Sequence, residues 1–105
     1  MSAKYLFMFY FSTLSIFVMG NSFDKIDSLE TILPKIEGVE KINTLILLSE
    51  SYRNITFNEC LKYGHQGIKL ANQLGEFDLE ALALKSMGNS CYFSGELDLA
   101  KNYYH

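Results

Sequence analysis

Apolar residues recur at steps of three and four through most of this chain, the period of helices that bury one face. In Phe23–Leu33, the residues Phe23, Ile26, Leu29, Ile32 and Leu33 share a side, while Asp24, Asp27 and Glu30 lie opposite. The spacing predicts a short amphipathic helix. Pro34 stops it, because proline disfavours the helical conformation in the residue before it. A connector containing Gly38 follows, and from Val39 to about Asn54 a first long helix is predicted. Its stripe is Val39, Ile42, Leu45, Ile46, Leu48 and Tyr52, with Glu50 and Arg53 outside it. Asn54–Asn58 reads as a turn, and Phe57–Leu74 as the second long helix, with the seam Phe57, Leu61, Gly64, Ile68 and Ala71. Gly64 and Gly67 lie on or beside that seam. A helical glycine costs up to ~1 kcal/mol relative to alanine, so two on one face imply a closely approaching neighbour. Gly75 is placed to end this helix in a left-handed conformation.

Glu76–Leu79 reads as a linker into a helix that runs to about Ser94. Its seam is Ala81, Leu84, Met87, Gly88 and Cys91. Gly95 ends that helix, and Leu97, Ala100 and Tyr104 open another with one apolar face, which reads as cut short at His105. The predicted fold is all-α, built from antiparallel helix hairpins.

Upstream of all this, Met1 to about Asn21 has the pattern of a targeting segment. Lys4 precedes the apolar run Tyr5–Met19, which is shorter than the ~20 residues of a membrane span. Val18 and Gly20 suggest cleavage after Gly20; an uncleaved anchor is the other reading. Either way the remainder is expected to be exported, to a periplasmic or secreted location. The predicted organisation is then a signal segment over residues 1–20, a short helix and connector over 21–38, and two hairpins over 39–105.

The two hairpins repeat each other. Leu45, Leu48, Ser49 and Tyr52 reproduce the spacing of Leu84, Met87, Gly88 and Cys91 at an offset of 39 residues. Cys60 and Gly64 echo Ala100 and Tyr104 at an offset of 40. With Gly95 at the turn, this pattern resembles the tetratricopeptide repeat (TPR), in which a large residue, Leu-Gly and Tyr mark one helix and Ala-x-x-x-Phe the next. The second copy keeps Gly88, Gly95, Ala100 and an aromatic at Tyr104. It has Leu84, Met87 and Cys91 where the family has tryptophan, leucine and tyrosine. In the first copy Leu48 and Tyr52 match, while Ser49, Cys60 and Gly64 depart.

The resemblance implies a short α-solenoid. It also implies a non-enzymatic role, holding a peptide or protein partner in a groove. A narrower resemblance runs from Asp27 to Tyr52, through Asp27-Ser28-Leu29, Lys41–Leu45 and Leu48-Ser49-Glu50-Ser51-Tyr52. It is to the exported repeat regions of Bacteroidetes-type sensor histidine kinases and transcriptional regulators. That likeness implies a sensory input segment in signal transduction, and a truncated chain whose C-terminal output module is missing.

Composition narrows the choice of partner. Of 105 residues, 9 are Lys or Arg and 12 Asp or Glu, a net charge of −3 with no basic cluster, so nucleic acid is not expected. Membrane contact is expected only through the N-terminal segment. No catalytic constellation, cofactor motif or metal-ligand spacing is legible, and no enzyme is expected. His65 has no second ligand one helical turn away. Glu76, Asp78 and Glu80 lack the ligand count of a calcium loop. Asn54-Ile55-Thr56 fits the N-glycosylation triplet but also suits a plain polar turn. Cys60 and Cys91 either pair in an oxidising compartment or are two small buried residues.

Overall fold

Glycine and proline cut this chain into helices. The computed structural model describes residues 22–104; residues 1–21, where a targeting segment is expected, and His105 fall outside the described residues. These residues form α1 (Ser22–Ile32), a 3-10 turn (Leu33–Lys35), α2 (Gly38–Tyr52), α3 (Phe57–Gln73), α4 (Phe77–Phe93) and α5 (Leu97–Tyr104). The fold is all-α, with no strand among the described residues.

Two of the four connections between helices share one design. Gly75 and Gly95 take φ of +71° and +81°, the left-handed region that glycine occupies without a Cβ clash. At the first, the Gly75 and Glu76 amides donate to the carbonyls of Asn72 (3.1 Å) and Ala71 (2.9 Å). At the second, Gly95 and Glu96 donate to Tyr92 (3.1 Å) and Cys91 (2.8 Å). Each is a Schellman motif, which satisfies carbonyls that the helix end would otherwise strand.

α4 begins earlier than its apolar seam suggested. Glu76 is its N-cap, and Asp78 and Glu80 sit in its first turn. The acidic run is therefore helix, not linker, placed where the positive end of the helix dipole favours it.

Successive helices pack on one another, α2 against α3, α3 against α4 and α4 against α5. α2 also runs beside α4, and α1 lies on α2. α2 serves two cores. Leu45 and Leu48 join Ile26 of α1 and Tyr63 of α3, with Leu29, Leu33, Tyr52 and Leu70 at the margin. Ile42 and Ile46 join Ala71 of α3 and Ala83 of α4, with Ile68, Leu70 and Leu79 alongside. This double duty explains the wide stripe on α2.

The single-stripe seams need correction at several places. Val39 and Ala81 are exposed, and Phe57, Leu61 and Leu84 are only half-buried. In α4 the buried set also includes Ala83, Ser86 and Ser90. The reason is geometric: α4 is flanked by α2, α3 and α5, so its buried arc is wider than one stripe.

Candidate functional site

The joint between the two hairpins centres on Met87. Gly64 of α3 has no side chain, and Met87 of α4 fills the vacancy; a Cβ added to Gly64 would overlap the Met87 sulfur. Below it, the buried Ser49 hydroxyl of α2 donates to the Cys60 carbonyl at 2.8 Å. The same oxygen lies 3.4 Å from both Cys60 Sγ and Met87 Sδ. Three helices meet at this serine. Gly67, one turn on from Gly64, faces α2, where an added Cβ would stand 3.4 Å from Leu45 Cβ.

Two further bonds tie α2 to α4 along their length. Ser86 Oγ donates to Glu50 Oε2 at 2.8 Å, and Arg53 Nε donates to Ser90 Oγ at 2.8 Å. The Arg53 guanidinium also lies over the Phe93 ring, 5.5 Å from its centroid. These contacts run in the same order along both helices, so α2 and α4 are parallel. No buried side-chain polar atom among the described residues lacks a hydrogen-bond partner.

The second hairpin closes differently. Tyr104 of α5 lies over Gly88 of α4, its ring 2.6 Å from where a Cβ would stand. Its hydroxyl bonds to Asn89 Oδ1, although the side chain remains half exposed. Ala100 is buried at the base of α5. Tyr103 reaches back to His65 on α3, its hydrogen-bond partner. No group of acidic, His or Cys side chains fit to hold a metal occurs among the described residues.

At the other end, α1 is clasped through one carboxylate. Glu30 Oε2 accepts from Tyr52 at 3.0 Å and from Tyr63 at 2.6 Å. The two rings stack at 5.7 Å and 15°, and Lys62 Nζ sits 4.6 Å from the Tyr63 ring centroid. Burial, then the bond to Glu30 and its charge, push both phenols above their ordinary 10.0, Tyr63 the further.

The expected repeat-packing residues therefore have distinct neighbours. Leu45, Leu48 and Tyr52 form the α1 side of the core. Cys60, Gly64, Met87 and Cys91 line the α3–α4 joint, and Gly88, Ala100 and Tyr104 close the second hairpin. Gly95 makes the turn, and Leu84 is half-buried.

Sequence reasoning missed Glu30, Tyr63, Arg53, Ser86 and Ser90. It also missed a visible signal: Gly75-Glu76-Phe77-Asp78-Leu79 recurs as Gly95-Glu96-Leu97-Asp98-Leu99, 20 residues on. Asn54 and Thr56 of the glycosylation triplet are exposed in the α2–α3 turn.

α2 and α4 together leave one long outer face. By helical phase, Val39, Asn43, Leu47 and Glu50 on α2 and Leu82 and Phe93 on α4 turn away from α3 and α5; beside them Asn89 accepts from Tyr104 of α5, and Ser86 is buried against Glu50. Val39, Leu47, Leu82 and Phe93 are 45 %, 40 %, 49 % and 69 % exposed, so the face is apolar with polar side chains between.

Comparison with known protein families, curated proteins and solved structures gives no match to this chain.

Proposed function

We propose that this chain is a non-enzymatic interaction module of the tetratricopeptide type, binding a peptide on the outer face of α2 and α4. One observation carries the reading. Two parallel helices from successive hairpins, each backed by its own second helix, hold four exposed apolar side chains in one surface. An extended peptide has apolar side chains for Leu47, Leu82 and Phe93 to cover. Its backbone needs donors and acceptors, which the Asn43 amide supplies together with Asn89 Nδ2, the Asn89 oxygen being held by Tyr104. The stacking of hairpins at offsets of 39 and 40 residues supports a short α-solenoid. The apolar run Tyr5–Met19 supports an exported location.

The test is selection of short peptides from a display library against the full chain, followed by NMR mapping. A selected peptide should shift resonances of Asn43, Leu47, Leu82 and Asn89. The double variant Leu47→Glu, Leu82→Glu should lose binding at least tenfold with its helicity unchanged. Binding that maps to α1 or α5, or a library that yields nothing tighter than ~1 mM, would overturn the reading.

A further inference from the structure

The chain has two cysteines, Cys60 and Cys91, and the fold brings both to the joint between the hairpins. Their register follows from one contact. α3 and α4 are antiparallel neighbours, and Gly64 of α3 stands directly against Met87 of α4. Cys60 lies one turn back along α3 and Cys91 one turn on along α4. In an antiparallel pair those two steps lead to the same level, and i, i+4 residues share a helix face. Cys60 therefore faces Cys91 as Gly64 faces Met87. The same register holds at the far end of the pair, where Asn72 Nδ2 donates to Glu80 at 3.2 Å.

Both thiols are fully buried. Burial, then the neighbouring Cys60 and Glu96, raise the Cys91 thiol above its ordinary 9.0. Tyr103 feels both sulfurs too: burial first, then Cys91 and Cys60, raise its phenol. Tyr103 also reaches His65 on α3 while α5 packs on α4, so α5 bridges the two helices that carry the cysteines. Gly64 lets α3 and α4 approach closely, which suits the short Cα separation that a disulfide needs.

We propose that Cys60 and Cys91 are a redox-responsive pair that closes an intramolecular disulfide between α3 and α4 by exchange with a small-molecule disulfide. One protein thiol loses its proton and attacks a sulfur of the reagent, expelling one small thiolate and leaving a mixed disulfide. The second protein thiol, likewise deprotonated, attacks the protein sulfur of that bond and expels the other small thiolate. Two protein thiols are oxidised and one small disulfide is reduced to two thiols, which take up the two protons. A buried thiol with a raised pKa is inert, so the exchange passes through transient opening of α5, the short helix that carries Tyr103. Once closed, the bond ties the start of α3 to the end of α4 and fixes the second hairpin on the first.

The test treats the reduced full chain with excess glutathione disulfide, in buffer and again in urea just below the unfolding midpoint. Titratable thiols should fall from two to none while the chain stays monomeric on a non-reducing gel. A tryptic digest should then contain a fragment joining residues 54–62 to residues 86–101. Cys60→Ser and Cys91→Ser should each keep the wild-type helicity and take up one glutathione, and Tyr103→Ala should link faster than wild type. Two separate glutathione adducts on the wild-type chain, intermolecular dimers, or two free thiols in both conditions would each overturn the pairing.

Discussion

The two hairpins solve one packing problem in opposite ways. Each has a small residue where its two helices cross, and each leaves a space that something must fill. In the first hairpin the space beside Ser49 and Gly64 is filled by Met87, a residue of the other hairpin. In the second, the space over Gly88 is filled by Tyr104, from the same hairpin. A small residue in a helix can thus recruit a neighbour or close its own hairpin. The first choice couples the hairpins and the second does not. Met87 is fully buried, whereas Tyr104 stays half exposed, so the two fillings should differ in energy.

Truncating the shared filler should have the largest effect. Met87→Ala is expected to cost about 3 kcal/mol, because it leaves a cavity that the joint cannot close. A domain of this size has little more stability than that, so helical signal should be lost from both hairpins at low urea. A cost below about 1 kcal/mol would show that Met87 does not hold the joint. Next come the two glycines. Each gains up to ~1 kcal/mol of helix propensity on becoming alanine. Gly64→Ala must still push on a buried thioether and should be destabilising overall by about 1–2 kcal/mol. Gly88→Ala should be close to neutral, since Tyr104 can swing into solvent. Urea midpoints in the reverse order would break the contrast between a borrowed filler and an internal one.

Smaller effects separate the ends of the molecule. Glu30→Gln weakens two charge-assisted hydrogen bonds and should cost about 1 kcal/mol, felt in α1 and the first hairpin only. Hydrogen exchange that loosens α5 equally would contradict this. Alkaline pH gives the last comparison. Tyr52, Tyr63 and Tyr103 all hold their protons above the ordinary 10.0 when folded. Past that pH the unfolded chain releases them first, so the folded state binds more protons and stability falls as pH rises. Below it the contribution is flat. Urea midpoints taken from roughly pH 8 to 11 should therefore decline at the alkaline end. Tyr63→Phe should flatten that decline more than Tyr103→Phe.

The helices were legible because their breaks are. Pro34, Gly75 and Gly95 punctuate the chain through backbone geometry alone, and the period of three and four does the rest. What periodicity could not give was the breadth of each buried arc. Ala83, Ser86 and Ser90 are small or polar, and nothing in a hydrophobic stripe marks them as buried; three flanking helices do. Val39 and Ala81 fit the stripe and are exposed, because the stripe continues past the end of the contact. The start of α4 was hidden by its own acidic first turn, which reads as linker until the repeated Gly-Glu-x-Asp-Leu is noticed. Glu30, Tyr52 and Tyr63 were unreadable as a unit, since their bonds span 22 and 33 residues.

That clasp also imposes an order in time. Glu30 has no docking site until Tyr52 of α2 and Tyr63 of α3 have stacked, so the first hairpin must close before α1 can settle on it. The arm is the last element to arrive and the first to leave. Its bonds should therefore be absent from the folding transition state, and Glu30→Gln should speed unfolding while leaving the refolding rate unchanged. Stopped-flow traces in which refolding slows instead would put α1 in the nucleus.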